Sequence, residues 1–578
     1  MPRAFDLLRW LPASDWLAGY NKDEAAGDGI AAIIVTLLLV PQGLAYALLA
    51  GMPPETGLYA SIVPLIIYGL FGTSRALSVG PAALTSLMTA SAAGAIAGGD
   101  PQLFIQAAIA MALLSGTLLL VMAALRMGWL TNLLSHPVIL GFVSGCAIII
   151  AASQLSHLLG VDANGENILA LGRSLLPRLW EIHWITVAMG ALAIACLIIP
   201  KKMAGPLKRS ALPGWLSVFL GKSGPVLAVL VTSLVNIGLG LDHQGLAVVG
   251  AIPDGLPQPG WPSLQAAQWH QVLVPALLLA LIGFVESISL AQALAAKRRE
   301  RIDANRELLG LGLANVTSGL SGSFAVTGSF SRTTVSFEAG ARTPMTGLLA
   351  GLAIGVVALW FTGLFTRVPQ AALGAIIVMG VLSLIELREL KNLWHSSRPD
   401  SLAMVATLAG VLLVNVQTGL LMGVVLSLIL FLWRASQPHV AEVGLVPGTH
   451  HFRNIDRHNV VVENTVLSIR VDESLWFGNA RPMEDLLYDR AMARPEVRHM
   501  VLMCSAINHL DASAVESLEG LNERLDAAGV QLHLSEVKGP VMDHLKKTRY
   551  LNTLSGQVFL SQYQAVEALA GVRTSSDT

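Results

Sequence analysis

The sequence predicts a polytopic α-helical membrane protein of 14 transmembrane segments, built as 7+7 inverted repeats, followed by a small cytoplasmic α/β domain. Three observations predict it. The 578 residues are 53% hydrophobic and only 13% charged, with a mean hydropathy of +0.62, about half the ~25% charge of ordinary soluble domains. Of 75 Lys, Arg, Asp and Glu residues, 31 lie after Ser436 in the last 142 residues, which leaves 44 for the first 436. Finally, two short segments rich in Ser, Thr and Gly occupy the same position in each half of the apolar region.

The apolar segments fall near 28–50, 57–72, 79–96, 102–125, 132–158, 180–200 and 223–241, then 271–296, 304–320, 329–339, 343–364, 370–386, 399–413 and 415–435. Each is of bilayer-spanning length or shorter. They divide the chain into an N-terminal segment (1–27), a transmembrane domain (28–436, with repeats at about 28–241 and 271–435), a linker (437–460), the α/β domain (461–572) and a tail (573–578). Arg3, Asp6, Arg9 and Asp15 interrupt any signal-peptide core, so the N-terminus is expected in the cytoplasm. With that orientation the inside loops hold 16 Lys and Arg, among them Arg75, Arg126, Lys201, Arg209, Lys222, Lys297, Arg342 and Arg398. The outside loops hold Arg173, Arg178 and Arg367. Cytoplasmic loops carry such an excess, and an even number of spans returns the charged C-terminal region to the cytoplasm.

The third segment, SVGPAALTSLM from Ser78, and the tenth, within SGSFAVTGSFSRTTVSFEAG (Ser321 to Gly340), are short, Gly-interrupted and hydroxyl-rich. Matched broken segments in two halves point to a transporter whose substrate sits between half-helices at mid-membrane, although small residues also serve close helix packing. Helix N-termini present unpaired N–H groups and the positive end of the dipole, which suits an anion. Gly80 and Pro81 are read as one such end, and Gly328 and Ser329 as the other. Arg332 adds a permanent charge and a fork of donors. Buried in a membrane it needs a partner, either the substrate or a protein carboxylate. Glu286, in FVESISLAQALA of the eighth segment, is the other intramembrane charge. It can be neutralised by a proton, by sodium or by Arg332. In the first segment Pro41 removes a backbone hydrogen bond; a local break there would turn Gln42 and Tyr46 into a cavity, whereas a simple Pro kink would leave Tyr46 packed in the bundle.

No nucleophile triad or P-loop is present, and Cys146, Cys196 and Cys504 lack metal-ligand spacing. No enzyme activity, metal or cofactor is expected, and the near-zero net charge of −1 suggests no nucleic-acid partner. In the C-terminal region, VLSIRVD, VRHMVLMC and VQLHLSEV read as strands alternating with helices, and Ser513 to Glu516 reads as a capping box.

Pro41 to Ser86 (PQGLAYALLAGMPPETGLYASIVPLIIYGLFGTSRALSVGPAALTS), FVESISLAQALA, GSFSRTTVSFEAG and HLDASAVESLEGL together resemble the SulP family of anion transporters with a C-terminal STAS domain. The resemblance implies core and gate domains, a homodimer in the bacterial inner membrane with both termini cytoplasmic, and contact with membrane lipid. It implies an anion site of Gln42, Tyr46, Ala82, Ala83, Ser331 and Arg332, with Glu286 in the position that loads the coupling ion, proton or sodium. It further implies that Ser513 stands where related soluble proteins are phosphorylated, and that the STAS domain binds a cytoplasmic protein. Sulfate uptake by symport is the first expectation. Transport of bicarbonate or of a C4-dicarboxylate such as fumarate or succinate, anion exchange, and an anion receptor signalling through STAS are the alternatives.

Overall fold

The computed structural model describes residues 13–17, 19–132, 135–163, 165, 167–208 and 223–570. They form two compact units, divided between residues 427 and 428. Arg209, Lys222 and the tail 573–578 lie outside the described residues.

The first unit contains a helix for each apolar segment. In the first half these are α1 (Lys22–Leu49), α2 (Pro54–Phe71), α3 (Ala83–Ala97), α4 (Pro101–Ala124), α5 (His136–Leu159), α6 (Trp184–Lys208) and α7 (Gly224–Leu239). The second half supplies α8 (Ala266–Arg298), α9 (Ala304–Leu320), α10 (Phe330–Glu338), α11 (Met345–Trp360), α12 (Gln370–Val381), α13 (Arg398–Leu413) and α14 (Val416–Ala435). Eight helical stretches among the described residues are long and apolar enough to cross a membrane. Capping starts several of them: Asn21 and Glu24 form a reciprocal box at α1, and Asp100 and Asp303 accept from the first N–H groups of α4 and α9.

Packing sorts the helices into two bundles. In one, α9 lies on α4 and α2, α11 on α2 and α1, α8 on α4, and α10 on α1. In the other, α13 and α12 lie on α5, and α7 and α12 on α6. The bundles meet where α1 touches α12 and α7 and where α3 touches α5. Small residues bring the axes close: a Cβ on Gly57 would stand 2.0 Å from the carbonyl oxygen of Gly43 on α1. The expected break at Pro41 is absent. α1 runs through it unbroken, with Pro41 itself buried, so the missing donor is tolerated inside the bundle.

Two residues on each side of the bundle interior form a β pair, β1 (Val79–Gly80) with β2 (Thr327–Gly328), antiparallel in the register Val79 to Gly328 and Gly80 to Thr327. Gly80 and Gly328 therefore lie in extended backbone. The helix N-caps are Ala82 and Ser329, so Ser329 stands at the helix start as read, whereas the first half-helix is capped one residue beyond Pro81.

In the second unit a six-stranded sheet has the order β4-β3-β5-β6-β7-β8. Its strands are β3 (Val440–Leu445), β4 (Phe452–Asn454), β5 (Val466–Val471), β6 (His499–Met503), β7 (Gln531–Ser535) and β8 (Val558–Phe559). The β5-β6-β7-β8 run is parallel, and β3 pairs antiparallel with β4 and β5. Residues 437–460, read as a linker, thus supply two sheet strands; VAEVGL is too short, and too close to the VPGTHH turn, to show its pairing in sequence. Leu467, Ile469, Leu502 and Leu534 bury one face under α15 (Ala480–Met492) and α16 (Ala512–Ala527), through Leu487, Leu518 and Leu521. The cap of α16 also moves. Asp511 accepts from Ala514 N at 2.8 Å, leaving Ser513 exposed in the first turn rather than capping.

Inside this unit His533 Nδ1 accepts from Gln557 N at 3.0 Å, and its Nε2 lies 3.2 Å from His499 Nδ1. Protonation would remove that acceptor. Burial, with the His499 ring second, pushes the His533 pKa down to about 4. The folded value lies below the ~6.5 of an unfolded histidine, so as pH falls the unfolded chain takes up the proton first. Stability is complete above pH ~6.5 and declines from there toward pH ~4. Thermal unfolding of residues 436–570 expressed alone should show a midpoint that drops over this window. The His533→Asn protein, which keeps an acceptor at the Nδ1 position, should show a flatter profile.

Candidate functional site

α3 and α10 start from opposite sides of the β1–β2 pair, and neither N-terminus has a side-chain cap. Their first N–H groups are therefore left for another acceptor. Ala82 and Ala83, small and buried, keep the α3 end clear of side chains. On α10, Arg332 is 1% exposed, and its Nη1 donates to the Pro81 carbonyl oxygen at 2.5 Å. Nε and Nη2 have no hydrogen-bond partner among the described residues. Gly80 makes room for this: a Cβ there would lie 3.3 Å from Nη2.

The pairing of Arg332 with Glu286 allowed by the sequence is not formed. Glu286 Oε2 is buried without a hydrogen bond, and the guanidinium is held by a backbone carbonyl. The two remain close enough, together with Tyr46, to interact electrostatically. Tyr46 is buried on α1, and its hydroxyl faces Gly380 of α12 across the bundle boundary. Gln42, one turn earlier, is buried with its Oε1 unpaired. Tyr46, Glu286 and Arg332 thus come together from α1, α8 and α10; Ala82 follows the Pro81 carbonyl that holds the guanidinium, Ala83 opens α3 and Gln42 lies one turn from Tyr46. The side chain of Ser331 lies outside the described residues. Ser513 belongs to the other unit, and among the described residues no group of three or more His, Cys, Asp or Glu has the geometry of a metal site.

Apart from Ser287, which the sequence offers beside Ser289 as a helix-packing or site-lining hydroxyl, the residues that hold this arrangement were not singled out from the sequence. Thr327 Oγ1 donates to Gly283 O at 2.8 Å and lies 2.8 Å from Ser287 Oγ, which accepts from Gly328 N at 2.9 Å. Asn315 accepts from Val326 N and donates to Val326 O, both at 2.9 Å. Ser78 donates its N–H to Thr333 Oγ1 and accepts from Ser329 N. A buried strand only two residues long has few ladder bonds, so side chains on α8, α9 and α10 complete its hydrogen bonding. The one sequence signal is polar residues inside apolar helices. Ser287, unlike the exposed Ser289, answers to it.

An arginine with free donors between two open helix N-termini is an anion receptor in chemical terms. Comparison with known proteins bears on which anion. Residues 26–407 match the Sulfate permease family and residues 457–565 the STAS domain. The chain is 34% identical to sulfate transporter 4.1, chloroplastic, of Arabidopsis thaliana, covering 92% of this chain and 77% of that protein. High affinity sulfate transporter 1 of Stylosanthes hamata is 29% identical, covering 98% of this chain and 86% of that protein. Among solved structures, the murine Solute Carrier 26 family member A9 anion transporter in the inward-facing state aligns with TM-score 0.89 at 20% identity, covering 99% of this chain and 95% of that one. The transmembrane domain of a cyanobacterium bicarbonate transporter, BicA, aligns at 0.59 and 21%, covering 71% and 98%. These two likenesses are of fold.

Ser287→Ala would leave Gly328 N and Thr327 Oγ1 short of a partner in a buried setting. A loss of about 1–3 kcal/mol is expected, read as a lower melting temperature of the detergent-purified chain. Ser289→Ala, at an exposed position, should leave it unchanged.

Proposed function

The chain belongs to the sulfate permease family and carries a STAS domain, and from that premise we propose that it takes up sulfate by proton- or sodium-coupled symport. The observation that carries the anion reading is Arg332: buried, without a carboxylate partner, and with two free donors beside two uncapped helix N-termini. Sulfate transporters among the relatives favour a tetrahedral divalent anion. In this reading Gln42, Tyr46, Ala82, Ala83, Ser331 and Arg332 surround the anion.

Coupling follows from charge. A dianion entering against an inside-negative potential of 100 mV meets about 4.6 kcal/mol, twice the ~2.3 kcal/mol of one charge. Cations must accompany it. Glu286, with an unpaired oxygen next to Arg332, is the group proposed to load a proton or sodium. Loading Glu286 and seating an anion on Arg332 reinforce each other, because each neutralises a charge that the low-dielectric site otherwise has to hold. We further propose the bacterial inner membrane with both termini cytoplasmic, supported by the Lys and Arg asymmetry of the loops. A homodimer and a cytoplasmic protein docking on the STAS domain near the exposed Ser513 complete the reading.

Labelled sulfate should enter proteoliposomes saturably and faster under an inward proton or sodium gradient. Arg332→Ala should cut uptake roughly tenfold to a hundredfold, the equivalent of about 1.5–3 kcal/mol for hydrogen bonds to a charged group, without loss of folded protein. Glu286→Gln should abolish the stimulation by the gradient. Competition by bicarbonate or fumarate stronger than by sulfate would reassign the substrate, and no uptake of any of the three would reject transport.

A further inference from the structure

Glu307 takes no part in the site described above, yet it is fully buried in the first turn of α9. Its carboxylate gathers four donors from the far side of the first repeat. Oε1 accepts from Thr73 N at 2.7 Å, Thr73 Oγ1 at 2.5 Å and Ser74 N at 3.0 Å, and Oε2 accepts from Tyr68 OH at 2.7 Å. A buried carboxylate tolerates its surroundings only when hydrogen-bonded in this way. What it grips is the strap between α2 and α3.

That strap leads straight to the arginine. Ser74 Oγ accepts from Leu77 N, and Ser78 is tied to both Thr333 Oγ1 and Ser329 N at the start of α10. Val79 and Gly80 then form β1, and Pro81 offers the carbonyl that holds Arg332 Nη1. Six residues lie between Ser74, the second clasped N–H, and Pro81, whose carbonyl oxygen holds the guanidinium. The strap has Glu307 at one end and Arg332 at the other, and the open face of Gly80 lies 3.3 Å from Nη2 in between when a Cβ is built on it.

We propose that Glu307 is a positioning residue for the anion site: by clamping Thr73 and Ser74 it sets where Pro81 holds Arg332, and so sets sulfate affinity. This rests on the reading of Arg332 as the anion-binding residue. Tyr68 donates to the other carboxylate oxygen, Oε2, and also lies against Ser74, so it adds to the clasp without replacing the three donors on Oε1.

The test measures the sulfate Kd of the purified full chain by calorimetry, beside its melting temperature. Glu307→Ala should raise Kd about tenfold, and Glu307→Gln, whose amide oxygen can keep the three Oε1 donors without the charge, about threefold. Tyr68→Phe leaves the three donors on Oε1 in place and should raise Kd less than either Glu307 variant, by about twofold at most. Should Glu307→Ala fail to fold, Glu307→Gln carries the comparison alone. Wild-type Kd in the folded Glu307 variants, with only the melting temperature lowered, would reduce Glu307 to a stabilising residue and overturn the proposal while Arg332→Ala still loses sulfate. Wild-type Kd in Arg332→Ala would instead remove the site reading on which the proposal stands.

Discussion

The pairing of Val79 and Gly80 with Thr327 and Gly328 is the constraint on which the transmembrane unit turns. Irregular backbone inside a bilayer is tolerable only where protein satisfies its polar groups. Two strands of two residues satisfy few of their own, so the molecule surrounds them with hydroxyls and an amide from neighbouring helices, Ser287, Thr333 and Asn315, beside the hydroxyl of Thr327 in the strand itself. In return, two helix starts point inward and a guanidinium is held between them. Everything chemically unusual about the interior is a consequence of breaking two helices at one depth.

Much of this was legible in the sequence, for physical reasons that differ by feature. Hydropathy marks the fourteen helices because lipid imposes a composition on every spanning segment. Arg332 stands out because a charge in an apolar region is costly and hence rare. The partners that fix the β pair were hidden, because Ser287 and Asn315 lie 40 and 11 residues from the groups they hold, and serine or asparagine in a membrane helix is equally at home packing against a neighbour. Glu307 was hidden differently: an acid in the first turn of a helix, next to basic loop residues, reads as an ordinary capping charge. Strands β3 and β4 were read as linker, since six and three residues beside a turn carry little periodicity.

The two bundles give the site its exposure to change. Gln42, Ala82, Glu286 and Arg332 all belong to helices of one bundle, while Tyr46 reaches from it to Gly380 of the other. The groups around Arg332 are thus held by the strap, the β pair and α8. Their boundary with the second bundle is made by fewer elements, α1 against α12 and α7, and α3 against α5. A rigid binding element beside a narrower boundary is the arrangement in which domains shift as bodies and the site keeps its shape.

The β pair also bears on how the chain is made. Its strands, at 79–80 and 327–328, are separated by about 250 residues, and ribosomes add roughly 5–20 residues per second, so the first strand waits on the order of 10–50 seconds for its partner. During that interval the first half sits in the bilayer with an open strand edge and a helix start that nothing faces. A chaperoning insertase, or provisional pairing within the first half, has to shelter those groups. The same feature that turns two helix starts toward one arginine in the finished protein makes its biogenesis a problem of delayed closure.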